Sequence, residues 1–216
     1  MVISRIICLA IGYVFGLFQT GYIYGKAHNI DIREHGSGNA GTTNTLRTLG
    51  WKAGAITFLG DLGKAMLAIL VAWLIFRSRY PEGVAVLKMY AGLGAVLGHN
   101  YPCYLKFKGG KGIACTSGFI LACFIQTAPL CLVLFVAAVA ITRYVSLGSI
   151  LVAVSFFVQL VIFGQLGWLN VAPQYLPEVY IVGAVFSLLA LWRHKANIKR
   201  LLTGTENKFG MSKKEA

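Results

Sequence analysis

Charged residues are scarce in this sequence, and their scarcity restricts the class of protein. They make up 12% of the 216 residues, against 57% hydrophobic residues, whereas soluble domains carry about 25% charged residues. Only 7 residues are acidic, against 20 Lys and Arg. Little length remains for a separate soluble domain. The composition therefore excludes an ordinary soluble globular protein. Because the basic residues lie in short loops between apolar runs, it also argues against a nucleic-acid partner.

Metal-ligand and disulfide patterns are missing as well. The cysteines are odd in number and no pair has C-x-x-C spacing. Carboxylates are too few to suggest a metal site, and we expect no cofactor. We interpret all the cysteines as small packing residues: Cys8, Cys103, Cys115, Cys123 and Cys131.

A signal for cleavage is absent from the N-terminal segment. Arg5 is followed by an apolar run to about Tyr24, and no small-residue site of the A-x-A type closes it. We therefore expect a retained helix rather than a signal peptide.

Seven apolar segments can be read along the chain. Runs of about 18 or more apolar residues are typical of membrane-spanning helices. We predict an all-α integral membrane protein with a single transmembrane domain over residues 1–216. The segments are 2–25, 52–76, 84–104, 112–126, 129–142, 146–168 and 177–193.

The fourth and fifth segments admit two interpretations, because only residues 126–129 separate them. They form either one long kinked helix or a hairpin of two helices. Each helix of a hairpin would hold about 14 residues and measure roughly 21 Å, which is short for a hydrocarbon core of about 30 Å. The distribution of basic residues favours the hairpin.

With a hairpin, the loops 26–51, 106–111 and 143–145 share one side of the membrane with the C-terminal tail. Positive residues concentrate in the cytoplasm, so we predict seven transmembrane helices, the N-terminus outside and the C-terminus cytoplasmic. The basic residues on the cytoplasmic side are Lys26, Arg33, Arg47, Lys52, Lys106, Lys108, Lys111, Arg143, Arg193, Lys195, Lys199, Arg200, Lys208, Lys213 and Lys214. Those opposite are Arg5, Arg77, Arg79 and Lys88.

The loop 35–47 is rich in glycine, hydroxyl and amide side chains. Its glycines permit tight turns and close approach to a ligand, and successive N–H groups can form an anion-binding nest. Arg47 shares a face with Asn44 if a helix begins here. A flexible spacer is the alternative, but a spacer needs no such density of donors. The candidate residues are Ser37, Gly38, Asn39, Gly41, Thr43, Asn44 and Arg47.

The loop 106–112 places glycines on both sides of Lys111, which allows this side chain to bend toward an anion. It is not a Walker P-loop, because Leu105 stands six residues before Lys111 and Gly112 replaces the magnesium-binding Ser or Thr. A topogenic basic loop would explain the lysines but not the glycines. The candidate residues are Gly109, Gly110, Lys111 and Gly112.

The segment 194–206 follows the last apolar run. His194 and Asn197 share one face of a continuing helix, and histidine can donate, accept or transfer a proton near neutrality. Arg200 extends that face, and Glu206 follows. A positively charged membrane anchor explains the lysines of this segment but not His194 and Asn197.

Two further features carry less weight. Asp61 and Lys64 lie three residues apart inside the second segment, where ionisable groups are rare and usually functional; a structural ion pair explains them equally well. Ser146 and Ser149 open the sixth segment. They are interpreted as helix caps or as part of a phosphate pocket.

The three loops together resemble the cytoplasmic motifs of the bacterial acyl-phosphate:glycerol-3-phosphate acyltransferase family, the PlsY family. The resemblance covers essentially the whole chain, including its length and seven-span layout. One motif alone is weakly specific, whereas three on one face are strongly specific. The residues that carry it are Ser37-Gly38-Asn39, Gly109-Gly110-Lys111-Gly112 and the series His194, Asn197, Gly204 and Glu206.

The sequence departs from the family pattern at three positions. Cys115 stands where the family has Thr, Ala65 where it has Gly, and Tyr101 where it has Phe. The first change makes a hydroxyl role at position 115 doubtful. The other two are conservative.

The resemblance implies a transferase of phospholipid biosynthesis in the bacterial cytoplasmic (inner) membrane. An acyl phosphate donates its acyl group to the 1-hydroxyl of glycerol 3-phosphate, giving lysophosphatidic acid and inorganic phosphate. The partners are these two substrates and membrane lipids, and we expect a monomer beside an enzyme that produces acyl phosphate. The H-x-x-x-x-D motif of commoner glycerolipid acyltransferases is absent, since Arg33, Ala40, Tyr104 and Lys199 occupy its last position after the four histidines.

The catalytic hypothesis assigns phosphate binding to Lys111 and Arg47, with the backbone from Ser37 to Asn39. Ser37 positions the acyl carbonyl, while Asn197 and His194 orient glycerol 3-phosphate. Either His194 or a substrate phosphate takes the proton. A covalent acyl-Ser37 intermediate is disfavoured because no adjacent base is recognisable.

Two other classes of protein remain as alternatives. An anion transporter would explain the spans and basic loops, but it would distribute polar residues along the depth of several helices. A non-catalytic anchor subunit leaves the clustered Ser, Asn, His and Arg residues unexplained.

Overall fold

The computed structural model describes residues 1–210, which contain ten α-helices and no β-strand. Short 3-10 turns occur at 32–34, 103–105, 125–127 and 173–175. Lys213 and Lys214, counted above on the basic side, lie outside the described residues. The helices are α1 (Val2–Gly16), α2 (Thr20–Ala27), α3 (Thr42–Leu49), α4 (Trp51–Phe76), α5 (Val84–Asn100), α6 (Ile113–Cys123), α7 (Ala128–Thr142), α8 (Val145–Gln165), α9 (Leu176–Arg193) and α10 (Lys195–Leu202).

The helix α4 shows how these sequences form a bundle. Its buried residues recur every three or four positions, so they form one stripe that faces the other helices. The outer face carries large exposed apolar side chains such as Leu59, Leu67 and Leu74. Exposed apolar surface of this extent is favourable only against another apolar phase, here the lipid tails.

The core extends over most helices of the bundle, and its aromatic part lies among α6, α8 and α9. Phe119 stacks on Phe186 with 4.1 Å between ring centroids. Phe156 and Phe124 meet Phe119 edge to face at 5.6 and 5.9 Å. The helices α6, α8 and α9 therefore converge on one aromatic cluster.

A glycine interface joins α1 to α5. Gly12 and Gly16 on α1 face Gly94 and Gly98 on α5, and each pair has the four-residue spacing of small-residue motifs in membrane helices. A Cβ on Gly12 would lie 1.9 Å from the carbonyl oxygen of Ala91, and one on Gly94 would lie 2.1 Å from that of Leu9. The two backbones are therefore in direct contact.

Each of the seven apolar segments corresponds to helical structure, with differences in length. Five stretches are long and apolar enough to cross a membrane: 2–27, 51–76, 125–142, 145–165 and 173–193. The third and fourth segments form the shorter helices α5 and α6, of 17 and 11 residues.

The first segment was expected to form one continuous helix, but it is divided into α1 and α2. It breaks between Gly16 and Thr20, where Gln19 leaves the helical conformation. The buried Gln19 amide donates to the carbonyl oxygens of Gly16, Gly98 and His99. These bonds satisfy backbone groups freed by the break and fix it to the end of α5.

Several helix ends meet at one end of the bundle. The first residues of α6 and of α8 line the same cavity, although α6 and α7 lie between them in sequence. A single kinked α6–α7 helix would separate these ends by roughly 40 Å. The chain therefore reverses between α6 and α7. Met1 lies at the opposite end of the bundle, beside Tyr175.

The cysteine prediction holds for Cys8, Cys115 and Cys131, which are buried free thiols, and Cys123 is partly buried. It is wrong for Cys103, which is exposed. This residue belongs to the 3-10 turn after α5, where the chain has already left the helix packing.

We expect Gly94→Ala to destabilise the protein, because the added methyl group would collide with the α1 backbone, which cannot yield like a side chain. Overpacking of this kind costs about 1–3 kcal/mol. Thermal unfolding in detergent should show a lower midpoint. Gly63→Ala is the matched control, since nothing lies within 4 Å of a Cβ at that position on α4. Equal midpoints for the two variants would contradict the direct backbone contact.

Candidate active site

All three motifs contribute to one cavity of about 160 Å³ at the end of the bundle where these helix ends meet. Every candidate residue lines it except Gly38, Gly109 and Gly110. The candidates that do are Ser37, Asn39, Gly41, Thr43, Asn44, Arg47, Lys111, Gly112, Ser146, Ser149, His194, Asn197, Arg200 and Glu206.

Asn44 holds the first loop in shape. Its Nδ2 donates to the carbonyl oxygens of Ile32 and His35 at 2.9 and 3.0 Å, and its Oδ1 accepts from the backbone N–H of Ser37 at 2.7 Å. The amide thus closes the loop over the start of α3. This buried side chain has its hydrogen bonds inside the loop, so it supports the site through the loop rather than as a free donor.

The backbone N–H groups expected to form an anion-binding nest mostly donate hydrogen bonds within the same loop. The N–H of Ser37 donates to Asn44, that of Gly38 to the carbonyl of His35, and that of Gly41 to the Asn39 side chain. These groups are therefore not free for a phosphate. Side chains must supply most of the donors instead.

Arg193 fixes the second loop, and the sequence analysis missed this role. Its guanidinium donates to the carbonyl oxygens of Gly109 and Gly110 at 3.0 and 2.7 Å and packs over the ring of Tyr101. The signal available in the sequence was an arginine one residue before His194.

The glycines of this loop are required by close packing rather than by contact with the cavity. A Cβ on Gly110 would lie 2.0 Å from Nε2 of His99, and one on Gly109 would lie 2.0 Å from the carbonyl oxygen of His99. The loop therefore lies directly on His99. This contact positions Lys111, the next residue, at the cavity.

A chain of polar contacts links Lys111 to the third motif. The Lys111 ammonium donates to Oδ1 of Asn197, whose Nδ2 donates to Glu206 at 3.0 Å. The same carboxylate accepts from Nε of Arg200 at 2.9 Å. Glu206 is buried and engaged by both partners, so we assign it to positioning Asn197 and Arg200. A carboxylate would itself repel a phosphate.

Burial, together with the charges of the nearby arginines, lowers the pKa of Lys111 to about 8, while Glu206 opposes them. Below that pH the side chain carries a positive charge in a largely buried position, where it attracts an anion. An anion bound beside it would favour the charged form.

The imidazole of His194 is held in one tautomer. Its Nδ1 lies 2.8 Å from the carbonyl oxygen of Ala190 and must donate to it. The other nitrogen, Nε2, is therefore the acceptor of the neutral ring. Burial, together with the charge of Lys111, lowers the pKa of His194 to about 4. The ring is neutral at physiological pH, and its Nε2 can accept a hydrogen bond from a substrate hydroxyl.

The hydroxyl groups on the other side of the cavity come from α3 and α8. The cap interpretation of Ser146 and Ser149 is wrong, since Tyr144 precedes α8 without a side-chain cap. Ser149 donates to the carbonyl of Val145, while the buried hydroxyls of Ser146 and Thr42 have no partner within residues 1–210. Both line the cavity. Thr42 was not among the candidate residues.

Apolar residues form part of the cavity wall, among them Phe58, Phe135 and Val145. Phe135 also borders a second groove along α7, with Val136, Val139 and Ala140. On the polar side, a wider cavity of about 770 Å³ shares Ser37, Asn39, Lys111, Asn197 and Arg200 with the first, and Gly38 and Gly109 line it. The site can thus be reached by a ligand from two sides, through the apolar groove along α7 or through the wider polar cavity.

The tail after α10 also contributes to the cavity. Asn207 lines the cavity and its carbonyl oxygen accepts from Arg47 at 3.3 Å. The N–H of Phe209 donates to the carbonyl of Arg143 at 2.7 Å. Only the tertiary structure brings this polar segment back to α3 and α7, so sequence patterns gave no signal for it.

A buried cluster lies beneath the cavity, and it does not fit a metal ion. Asp61, His99 and Cys115 place potential ligand atoms within 4.8 Å of one another. The Lys64 ammonium, however, lies 2.8 Å from Oδ1 of Asp61 and 2.9 Å from Nδ1 of His99. A divalent cation there would face a buried positive charge. The predicted Asp61–Lys64 ion pair is therefore present, and the Lys64 ammonium occupies the position that a metal ion would need.

Comparison with known proteins agrees with this arrangement. The family model described as "Glycerol-3-phosphate acyltransferase" matches residues 6–204. The glycerol-3-phosphate acyltransferase of Alkaliphilus metalliredigens is 45% identical over 201 residues, covering 92% of each chain. That of Clostridioides difficile is 40% identical over 215 residues, covering 98% of each.

Solved structures of PlsY (YgiH), an integral membrane glycerol 3-phosphate acyltransferase, share the fold. The glycerol 3-phosphate form superposes with a TM-score of 0.80 at 33% identity, covering 96% of both chains, and the lysophosphatidic acid form gives the same values. The family model covers the first two motif loops and the third as far as residue 204. The chain therefore belongs to the glycerol-3-phosphate acyltransferase family of integral membrane proteins.

Proposed function

We propose that this protein transfers an acyl group from an acyl phosphate to the 1-hydroxyl of glycerol 3-phosphate, forming lysophosphatidic acid and inorganic phosphate. The observation that carries the proposal is the composition of the cavity, in which Lys111, Arg47 and Arg200 meet neutral hydrogen-bonding groups beside an apolar wall. Both substrates bear phosphate, and one also bears a long apolar chain.

The cations are assigned to the phosphate groups. Guanidinium groups suit the bidentate geometry of phosphate, and an ammonium acts as a point charge. Arg47 and Arg200 come from α3 and α10, and Lys111 comes from the second loop, so they surround a bound anion from three elements. They also stabilise the charge that develops on the departing phosphate. The free hydroxyls of Thr42 and Ser146 add neutral donors.

The apolar approach is assigned to the acyl chain. The groove along α7 continues from Phe135 past Val136 and Val139 to the outer surface, and Val136 is exposed where lipid would surround the bundle. An acyl phosphate entering from the membrane would bring its phosphate to the basic residues while its tail remains in apolar surroundings. Glycerol 3-phosphate, which has no tail, would enter through the wider polar cavity.

We assign direct transfer between the two bound substrates. The hydroxyl oxygen bonds to the acyl carbon, the bond from that carbon to the phosphate oxygen breaks, and the phosphate leaves with the electron pair. The proton lost by the hydroxyl ends on inorganic phosphate. Holding two substrates in register supplies much of the rate enhancement.

The surroundings of Ser37 support direct transfer over an acyl-serine intermediate. Among the described residues, no histidine or carboxylate hydrogen-bonds to its hydroxyl, and its backbone N–H is held by Asn44. A serine nucleophile requires an adjacent base. We therefore assign Ser37 to positioning the donor, while His194 and Asn197 orient glycerol 3-phosphate.

The proposed topology has seven transmembrane helices, with the cavity and C-terminus on the cytoplasmic side and the N-terminus outside. The chain reversal between α6 and α7 supports it, because that reversal places the basic loops together. The short helices α5 and α6 are counted as spans within this arrangement. We propose one domain over residues 1–216 in the bacterial inner membrane, acting as a monomer, since all the candidate residues come from one chain.

Purified protein should form lysophosphatidic acid from radiolabelled glycerol 3-phosphate with palmitoyl phosphate, but not with palmitoyl-CoA or without a donor. Lys111→Ala should lower kcat/KM by about 100-fold, because it removes a charge-assisted contact to phosphate. Lys52→Ala is the control, since this exposed lysine at the start of α4 lines neither the central nor the wider cavity. Folded protein that makes no product with any donor would reject the proposed function and favour a transporter, to be tested by uptake into liposomes.

We expect kcat/KM for glycerol 3-phosphate to fall as pH rises above about 8. The pKa of Lys111 is lowered to about 8 by burial, so the side chain is charged below that pH and loses its charge above it. Lys111→Arg keeps its charge, because arginine has a pKa above about 12. In that variant the decline should move to higher pH or disappear. An unchanged alkaline limb would contradict the assignment of this limb to Lys111.

Cys103 offers a test of membrane orientation. It is exposed and lies between α5 and the Lys111 loop, at the cavity end of the bundle. A membrane-impermeant maleimide should therefore label it in inverted vesicles and not in intact cells. Cys103→Ser shows the background from the remaining cysteines. Labelling of Cys103 from the outside would reverse the proposed orientation.

A further inference from the structure

One carboxylate oxygen at the floor of the cavity lacks a partner. Asp61 lies on α4, is fully buried, and lines the cavity. Its Oδ1 accepts from Lys64 at 2.8 Å and from Thr20 at 3.1 Å. Its Oδ2 is buried without any hydrogen-bond partner among the described residues. An unpaired buried carboxylate oxygen is costly, so its retention requires a reason.

Apart from the weakly donating thiol of Cys115, the neighbouring polar groups have no donor left for this oxygen. Lys64 uses its three donors on the carbonyl of Phe18, Oδ1 of Asp61 and Nδ1 of His99. The Thr20 hydroxyl is already bound to Oδ1. Because Nδ1 of His99 accepts from Lys64, the remaining proton of that neutral ring is on Nε2, which packs against Gly110. A partner for Oδ2 must therefore come from the cavity.

The charges of the cavity differ between its mouth and its floor. Arg47 and Arg200 lie on α3 and α10, outside the spans, whereas Asp61 is the eleventh residue of α4. Ten residues of helix separate Asp61 from the start of α4, so it lies deeper in the bundle than these arginines. An anion is thus favoured at the mouth, whereas at the floor Lys64 balances the charge of Asp61 and the free carboxylate oxygen can accept a hydrogen bond from a hydroxyl. Glu206, the other carboxylate of the cavity, is already engaged.

Glycerol 3-phosphate has the complementary polarity, with phosphate at carbon 3 and a hydroxyl at carbon 1. We propose that Oδ2 of Asp61 accepts the hydrogen bond of the attacking 1-hydroxyl, making Asp61 a catalytic residue that orients the nucleophile. This inference rests on the proposed acyl transfer. As the hydroxyl oxygen bonds to the acyl carbon, its proton moves along this hydrogen bond to Oδ2 of Asp61, and the carboxyl then gives the proton to the departing phosphate. Asp61 is unchanged at the end of the cycle.

The test compares Asp61→Asn with the double variant Asp61→Asn/Lys64→Met, which removes the buried ion pair as a unit and leaves no uncompensated charge. Asn presents an N–H donor or a neutral oxygen where the carboxylate was. We expect kcat with palmitoyl phosphate and glycerol 3-phosphate to fall about 100-fold in both variants. The KM for palmitoyl phosphate should stay within about twofold, because Asp61 lies away from the basic residues assigned to the donor.

Two controls separate this role from a structural one. Thr20→Val removes a partner of Oδ1 but leaves Oδ2 in place, and it should keep most of the activity. The 1-deoxy analogue of glycerol 3-phosphate lacks the attacking hydroxyl, so as a competitive inhibitor it should bind the wild type and both Asp61 variants with equal Ki. A weaker Ki in the variants would show a general loss of the site and overturn the proposal.

Failure of this inference differs from failure of the proposed function. If the wild type forms lysophosphatidic acid and the double variant keeps more than a tenth of its kcat, the Asp61 proposal is wrong while the function stands. If the wild type forms no product from any donor, the function itself is wrong and the inference falls with it. Thermal unfolding in detergent must show that each variant is folded.

Discussion

The contact between Lys111 and Asn197 connects parts of the chain that are otherwise far apart. Lys111 belongs to the loop before α6, and Asn197 belongs to α10 at the other end of the sequence. Through Asn197 the link continues to Glu206 and Arg200. Without this chain of contacts, the cations of the cavity would have no fixed separation. The proposed phosphate-binding geometry therefore depends on one lysine–amide contact and one buried carboxylate.

The bilayer explains why these interactions gather at one end of the bundle. Inside lipid, every backbone polar group must find a partner within the protein, so irregular structure is confined to the ends or to buried positions. The two breaks near the site follow this rule. Gln19 satisfies carbonyl groups at the α1–α2 break, and Arg193 satisfies those of Gly109 and Gly110. The side chains that permit irregular backbone are thus the same ones that position the motif loops.

The sequence predicted the helical class and most of the cavity lining, because both leave local signals. Long apolar runs identify helices, and dense groups of Ser, Asn, His and Lys between them stand out. It did not reveal the break at Gln19, the tail contacts of Asn207 or the free oxygen of Asp61. Each of these depends on partners that are distant in sequence, such as Gly98 for Gln19 and Thr20 for Asp61. The nest prediction failed for the same reason, since Asn44 takes the N–H of Ser37.

The position of Arg193 at the last turn of α9 constrains how this family can change in length. The arginine clamps the Lys111 loop, and the next residue, His194, presents its ring to the cavity. One residue inserted into α9 would turn both side chains by about 100° around the helix axis and advance them by about 1.5 Å. An insertion in the loop 77–83, at the opposite end of the bundle, would not rotate these side chains around a helix axis. Insertions and deletions should therefore accumulate at that end during evolution, while the number of residues in α9 stays fixed.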